Sequence, residues 1–216
     1  VPDFFWEEFW FSEAINDRGV LIDTTLADNA IKINELVTNE LLEQMKELTN
    51  LDNPNSVMQL KSWLSDNGLE VESLEKKQVK ALKEEAPNAE VKRALELREL
   101  TSRTSIKKYE AMKACVSGDN RARGLFSFAS AKTLRWSSKR IQLQNLKRND
   151  LPDLDQARGL VRLGNIDALE ALYANIPDVL SQLIRTALIP KEGSKFVVAD
   201  FSSIEARVLA YLANEE

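Results

Sequence analysis

Between Thr24 and Asn50 the chain carries Leu26, Ala30, Ile33, Val37, Leu41, Met45 and Leu48, one apolar residue every three or four positions. That period predicts a single long amphipathic helix, with Thr24 or Thr25 available to cap it. A helix of this length must bury one stripe along its whole run, so the rest of the fold has to assemble around it. Upstream, Asp3 to Asp17 predicts an aromatic-rich helix stopped by Gly19, followed by a short strand over Gly19-Val20-Leu21-Ile22-Asp23. Downstream of the turn cluster 51–56, Ser56 caps a short helix, Gln78 to Glu85 forms another, and Asn88 caps a long charged helix over about Ala89 to Cys115. Phe4 to Phe11 forms an aromatic stripe, and Trp6, Trp10, Trp63 and Trp136 are expected in core positions.

After Gly118-Asp119-Asn120 the pattern changes. Gly124 to Ala129 and Thr133 to Ser137 predict strands. Helices are expected near Asp155–Val161, near Asn165–Tyr173, and from Ile176 to about Leu188. Lys195-Phe196-Val197-Val198-Ala199 predicts a buried strand, and Ser203 to Ala213 a helix. The fold class is therefore α+β and predominantly helical: a helical lobe to about residue 118, then a mixed lobe with an incomplete antiparallel sheet.

Composition excludes several classes. No apolar run approaches the roughly 18 residues that span a bilayer, and Val1-Pro2-Asp3-Phe4-Phe5 lacks the features of a signal peptide. The chain does not open with Met and reads as a piece of something longer. Cys115 has no partner for an internal disulfide, which fits a reducing compartment. The absence of histidine removes imidazole acid–base chemistry. The net charge of −5 argues against a polyanion partner, yet its distribution does not. From Arg103 to Arg148 there are twelve Lys or Arg and only two acids, Glu110 and Asp119. Such asymmetry points to a polyanion-facing surface on an otherwise acidic protein.

Two stretches carry chemistry. In Phe196-Val197-Val198-Ala199-Asp200-Phe201-Ser202-Ser203-Ile204-Glu205-Ala206-Arg207, an apolar strand delivers Asp200 immediately before a helix. A carboxylate held there suits Mg²⁺, which takes few carboxylates plus water and phosphate oxygens. The same pattern also fits a plain helix start, because Ser202-x-x-Glu205 is a capping box. The second stretch runs from Arg121 to Phe128 and from Thr133 to Leu146. It mixes cations with amides and hydroxyls. Lys and Arg neutralise phosphates, while Arg, Gln and Asn reach the N3 and O2 acceptors that every base pair shows in the minor groove. A solvated charged hairpin is the alternative.

The first stretch resembles the opening catalytic motif of family A (DNA polymerase I type) DNA polymerases, D-[YF]-S-x-I-E-x-R, continued by Val208-Leu209-Ala210 as in the bacterial and phage-like branch. The resemblance implies that Asp200 is the catalytic metal ligand shared by two Mg²⁺ ions. It places Phe201 and Ser202 by the incoming nucleotide, and Glu205 as the steric gate that closes the space of a ribose 2′-OH. The second stretch is similar to the family's T-x-R-[LW]-S-S…L-Q-N-[IL] signature. Arg135 would then contact the primer terminus, and Lys139, Arg140, Gln142, Gln144 and Asn145 the duplex. Two positions depart from the family pattern: Leu134 stands where Gly is usual, and Lys147 where Pro is usual. Ser105, Lys107, Lys108 and Tyr109 resemble the family's thumb-to-palm segment, for which duplex contact and a solvated face both stand open. Asn53-Pro54-Asn55-Ser56 with Gln59-Leu60 resembles its thumb tip, which places Asn55 and Ser56 near phosphate.

The implied organisation is a palm lead-in helix and strand over 1–28, a helical thumb over 29–118, and a partial palm over 119–216. The implied activity is template-directed transfer of dNTP to a primer 3′-OH in replication or repair. The implied partners are primer–template DNA, dNTP and a missing fingers and palm half, in the same or another chain. The setting would be the cytoplasm of a bacterial or phage-infected cell, with no membrane partner. The family pattern continues into fingers residues and a His-Asp-Glu turn that this chain lacks, so the isolated chain is expected to be inactive. The rival expectations are a stand-alone DNA-binding module, one half of a split polymerase, or a structural helical protein.

Overall fold

The computed structural model of the chain describes residues 2–102, 106–130 and 132–215. It is mostly helical with small antiparallel sheets, as expected. The first helix, α1 (Asp3–Arg18), ends at Gly19, whose N–H bonds to Ile15 O at 3.0 Å. Gly19 has φ 65°, and a Cβ there would lie 2.7 Å from Ala122 O, so both the turn and the close approach of the chain require glycine. β1 (Val20–Ile22) follows and becomes the central strand of a three-stranded sheet, flanked by β2 (Arg121–Ala122) and β5 (Leu188–Ile189). Both pairings are antiparallel, with Val20 opposite Ala122 and Leu21 opposite Ile189.

The long helix α2 (Thr24–Thr49) forms as the apolar period predicted. Its cap is Asp23, however, and not Thr24 or Thr25: the Asp23 carboxylate accepts the Leu26 N–H at 3.1 Å. A carboxylate also favours the positive end of the helix dipole. Residues along α2 contribute to two hydrophobic clusters. Leu26, Ala27, Ala30, Ile33 and Val37 join the sheet and the later helices, whereas Met45 joins Leu60, Leu64, Val91, Leu95 and Leu97. The second cluster is built by α3 (Val57–Asp66), α4 (Lys76–Glu84) and α5 (Ala89–Thr101). Ser56 and Asn88 cap α3 and α5 as their sequences predict, accepting from Gln59 N and Val91 N.

The single helix expected over 89–115 is instead two, α5 and α6 (Lys107–Cys115). Hydroxyl side chains compete for the backbone at the end of α5: Thr101 Oγ1 donates to Leu97 O and Arg98 O, and Ser102 Oγ to Glu99 O. Tyr109 of α6 is fully buried, and its hydroxyl donates to Leu180 O at 2.7 Å. It is therefore a core residue and neither a solvated nor a DNA-facing one.

The strands expected over 124–129 and 133–137 contract to a minimal hairpin, β3 (Phe126–Ser127) with β4 (Ser137–Ser138). Asn16 of α1 holds its outer edge, donating to Phe126 O at 3.0 Å and accepting from Phe126 N at 2.9 Å. Phe128 packs edge-on against Phe5 and Trp136, with ring centroids 5.6 Å apart in each pair. Trp6 and Trp10, expected in the core, are 52% and 66% exposed. Only one edge of α1 meets the hairpin, and the aromatic stripe on its other side faces outward.

α7 (Leu154–Leu163), α8 (Ile166–Leu172) and α9 (Ile176–Leu183) complete the first cluster. The helix expected to continue to Leu188 ends at Leu183, tightens into a 3₁₀ turn over Ile184–Ala187, and yields the unexpected strand β5. The buried strand expected over 195–199 does not form. Val197 and Val198 are 83% and 91% exposed, and no described residue pairs with them. A strand exists only by hydrogen bonding to a neighbour, so an apolar run with no adjacent edge stays irregular. α10 (Ile204–Leu212) closes the described chain. No helix among the described residues is long and apolar enough to cross a membrane.

Candidate nucleic-acid interface and its carboxylates

The segment after β4 is anchored by two apolar residues, Ile141 and Leu146, both buried in the first hydrophobic cluster. Between and before these anchors, Lys139, Arg140, Gln142, Gln144 and Asn145 all remain exposed. The backbone turns tightly to achieve this: Arg140 and Gln142 adopt φ 57° and 53°, and Leu143–Asn145 forms a 3₁₀ turn. Leu134 also takes a left-handed φ of 57°. The chain therefore follows a backbone path that favours glycine, with a leucine in place of it, and Arg135 is delivered directly after that turn.

The two stretches that carry the chemistry meet. Arg135 Nη2 donates to Glu205 Oε1 at 2.9 Å, across 70 positions of sequence. Arg135, Phe201, Ser203, Ile204, Glu205 and Ala206 line one open groove. The capping box does not form. Ser203 precedes α10 with φ 53° and makes no side-chain cap, and Glu205 turns to Arg135 instead of back to the helix start. Arg207 Nε donates to Ser202 O at 2.8 Å and holds the turn between Asp200 and α10. Asp200, Phe201 and Ser202 are all exposed.

Much of the basic stretch is engaged in structure. Arg121 donates to Arg18 O and Gly19 O, and Arg123 to Asp17 O, so both satisfy carbonyls at the C-terminal end of α1. Arg123 also pairs with Asp119, with its Nη1 at 2.8 Å, and its guanidinium holds that carboxyl far below the usual carboxylate range. Lys113 pairs with Asp28, and Lys147 with Asp178 at 2.8 Å. Lys147, at the position where the family has proline, thus ties this loop to α9. Lys108 reaches from α6 to Ile141 O at 2.8 Å and Gln142 Oε1 at 3.3 Å. Lys107, Lys139 and Arg148 stay exposed. The Lys108 bridge was not legible in the sequence, since it joins residues 34 positions apart.

The residues expected at a thumb tip lie elsewhere. Asn53 N donates to Gln59 Oε1 at 3.0 Å, Asn55 N to Asn53 Oδ1 at 3.1 Å, and Ser56 Oγ accepts from Gln59 N. Asn55 and Ser56 thus belong to a self-contained turn before α3, beside the second cluster, and they do not line the groove of Arg135 and Glu205. Ser105 lies outside the described residues.

The fit to metal is poor. No group of three or more His, Cys, Asp or Glu among the described residues could hold an ion. Mg²⁺ holds several waters but is positioned by more than one anionic partner, and two ions need a shared set of carboxylates. Asp200 alone does not provide that set.

Comparison with known proteins assigns the chain to a family. A "DNA polymerase" of Bacillus phage SP02 is 49% identical over 205 residues, covering 94% of this chain and 32% of that protein. The chain thus spans about a third of the length of the curated relative it matches. No solved structure matches it. The sequence model described as DNA polymerase family A matches residues 26–216, from the third residue of α2 through both motifs. With a family match over most of its length and a phage polymerase at nearly half identity, the chain belongs to DNA polymerase family A.

Proposed function

We propose that this chain is the part of a DNA-directed DNA polymerase that grips the primer–template duplex and presents the first catalytic carboxylate. The observation that carries the reading is the meeting of Arg135 and Glu205. Two motifs, each similar to a family signature, converge on one groove although 70 residues separate them. In the intact enzyme the primer 3′-OH attacks the α-phosphate of a dNTP and pyrophosphate leaves. Arg135, Lys139, Arg140, Gln142, Gln144 and Asn145 face the duplex. Phe201, Ser202 and Glu205 face the nucleotide, with Glu205 as the gate against ribose. Residues 1–28 and 119–216 correspond to palm and 29–118 to thumb, and the enzyme works in the cytoplasm of a bacterial or phage-infected cell.

Further polypeptide, in the same or another chain, is needed to complete the site. Asp200 has no shared set of carboxylates around it among the described residues. The exposed run Phe196, Val197 and Val198 also requires an apolar cover. The isolated chain is therefore expected to bind duplex without extending a primer in Mg²⁺.

Binding of a labelled primer–template across a salt series tests this. Four to six phosphate contacts give a log–log slope of about −4 to −5. Arg135→Ala should weaken binding. Glu205→Gln should tighten it by up to about fivefold, because the exposed ion pair, worth at most about 1 kcal/mol, no longer competes for Arg135. A flat salt dependence, or an Arg135→Ala chain that binds as well as the parent, refutes the duplex-gripping role.

A further inference from the structure

We propose that Lys108 is a positioning residue that sets the polarity of the Gln142 amide, so that the loop around Ile141 to Asn145 offers hydrogen-bond donors outward. The inference rests on the duplex-gripping reading and deepens it.

A glutamine amide can present either its oxygen or its NH₂ to a partner, and on an open surface it does both. At Gln142 the choice is constrained. The Lys108 ammonium is donor-only, and it stands 2.8 Å from Ile141 O and 3.3 Å from Gln142 Oε1. The amide oxygen must face the ammonium, and Nε2 of this exposed side chain has no hydrogen-bond partner among the described residues. Lys108 is itself held, since it rises from the first turn of α6 next to the fully buried Tyr109. Ile141, whose carbonyl it also grips, is fully buried. Gln144 repeats the arrangement, with the Ser138 hydroxyl on its Oε1. Two neighbouring exposed amides therefore have their oxygens bonded to protein donors, and neither Nε2 has a hydrogen-bond partner among the described residues.

The chemistry of that surface selects its ligand. In the major groove, adenine and cytosine present amino donors, which a donor-only surface meets unfavourably. In the minor groove every base pair presents N3 or O2 acceptors. An outward row of donors thus fits the minor groove of any paired duplex, independent of sequence. Lys108 performs this role without touching DNA.

The test measures equilibrium binding of labelled primer–template to the parent chain and to Lys108→Met. It uses a natural duplex and a set in which single primer-strand purines near the 3′ end are replaced by their 3-deaza analogues, which lack the N3 acceptor. The parent should lose about three- to tenfold in affinity at one or more of these positions. Lys108→Met should bind the natural duplex more weakly and lose most of that penalty, falling below about twofold, whereas Lys108→Arg, which keeps a donor, should retain it. A structural role alone would weaken binding equally on both kinds of duplex. If Lys108→Met does not fold, Gln142→Glu substitutes for it. A carboxylate keeps the Lys108 contact but cannot donate, so the deaza penalty should vanish. A full penalty in Lys108→Met, or in Gln142→Glu where that variant stands in, overturns the proposal. A parent that binds duplex in a salt-dependent way but shows no penalty at any position also overturns it and leaves the duplex grip intact. A parent that binds no duplex at low salt overturns both.

Discussion

Removing the Asp23 carboxylate should destabilise this protein by about 3 kcal/mol, and the division of that loss between two variants tests how the corner beneath the sheet is held. Asp23 is only 6% exposed and sits where β1 turns into α2. One oxygen caps α2 through Leu26 N, and the other faces Arg158 Nη2 at 2.5 Å and Arg162 Nε at 3.1 Å. Its own N–H donates to Ala187 O at 2.8 Å, just before β5. A lost cap costs about 1 kcal/mol. A charge-assisted bond to a well-placed arginine adds about 1.5–3 kcal/mol. Arg162 is about half exposed and counts only as a surface pair, about 0–1 kcal/mol. Neither arginine is fully enclosed, so deletion strands no wholly buried charge, and the total stays at or below the roughly 3–5 kcal/mol of a broken buried pair. Asp23→Ala loses every term. Asp23→Asn keeps an oxygen that caps well and loses the charge, so it should cost about 1.5–2 kcal/mol. For a chain of this size 1 kcal/mol moves Tm by about 2–4 °C, so the alanine variant should melt about 6–12 °C lower. Urea and thermal unfolding followed by far-ultraviolet circular dichroism measure both variants. If the alanine and asparagine variants agree within about 0.5 kcal/mol, the cap contributes nothing. If both match the parent, the two-arginine clamp is not a feature of the folded protein in solution.

Two further expectations follow from the backbone and from ionisation. Leu134 is 61% exposed at a left-handed φ of 57°, a conformation that costs a side chain about 1–2 kcal/mol, part of which glycine forfeits through its freer unfolded chain. Leu134→Gly should therefore stabilise by about 0.5–1 kcal/mol in urea unfolding, and a lower midpoint than the parent's would refute the left-handed turn before Arg135. Burial and, next, the Asp153 carboxylate to which its hydroxyl donates push the Tyr173 phenol up to about 12. The stability this contributes is whole below the unfolded value of about 10 and is lost as pH rises from there towards 12, so Tyr173→Phe should flatten the fall in unfolding midpoint over that window; an unchanged profile would refute it.

The elements legible in the sequence were those whose cause is local. The period of α2, the glycine stop after α1, and the caps at Ser56 and Asn88 depend on residues within about four positions of one another. The motif residues Asp200, Phe201, Ser202 and Glu205, with Arg135, were also legible as strings, and the family follows from such strings. Errors arose where a second, distant segment decides. The apolar run 195–199 has strand composition, but pairing needs an edge, and no described residue supplies one. Trp6 and Trp10 look like core residues, but only one side of α1 receives a partner. The period of 89–115 suits one helix, yet the hydroxyls at Thr101 and Ser102 turn back on α5.

By itself, then, the sequence determined the family, the fold class, most helices and the identity of the residues in the candidate site, because periodicity, capping and motif spacing are short-range properties. The tertiary structure alone decided which charges are engaged and which stay free. Arg121, Arg123, Lys113 and Lys147 satisfy distant carbonyls and carboxylates, Glu205 answers Arg135 and not its own helix, and Lys108 aims Gln142. Charge–charge and hydrogen-bond partners are chosen by proximity in space, and proximity across 34 or 70 residues exists only once the chain has packed.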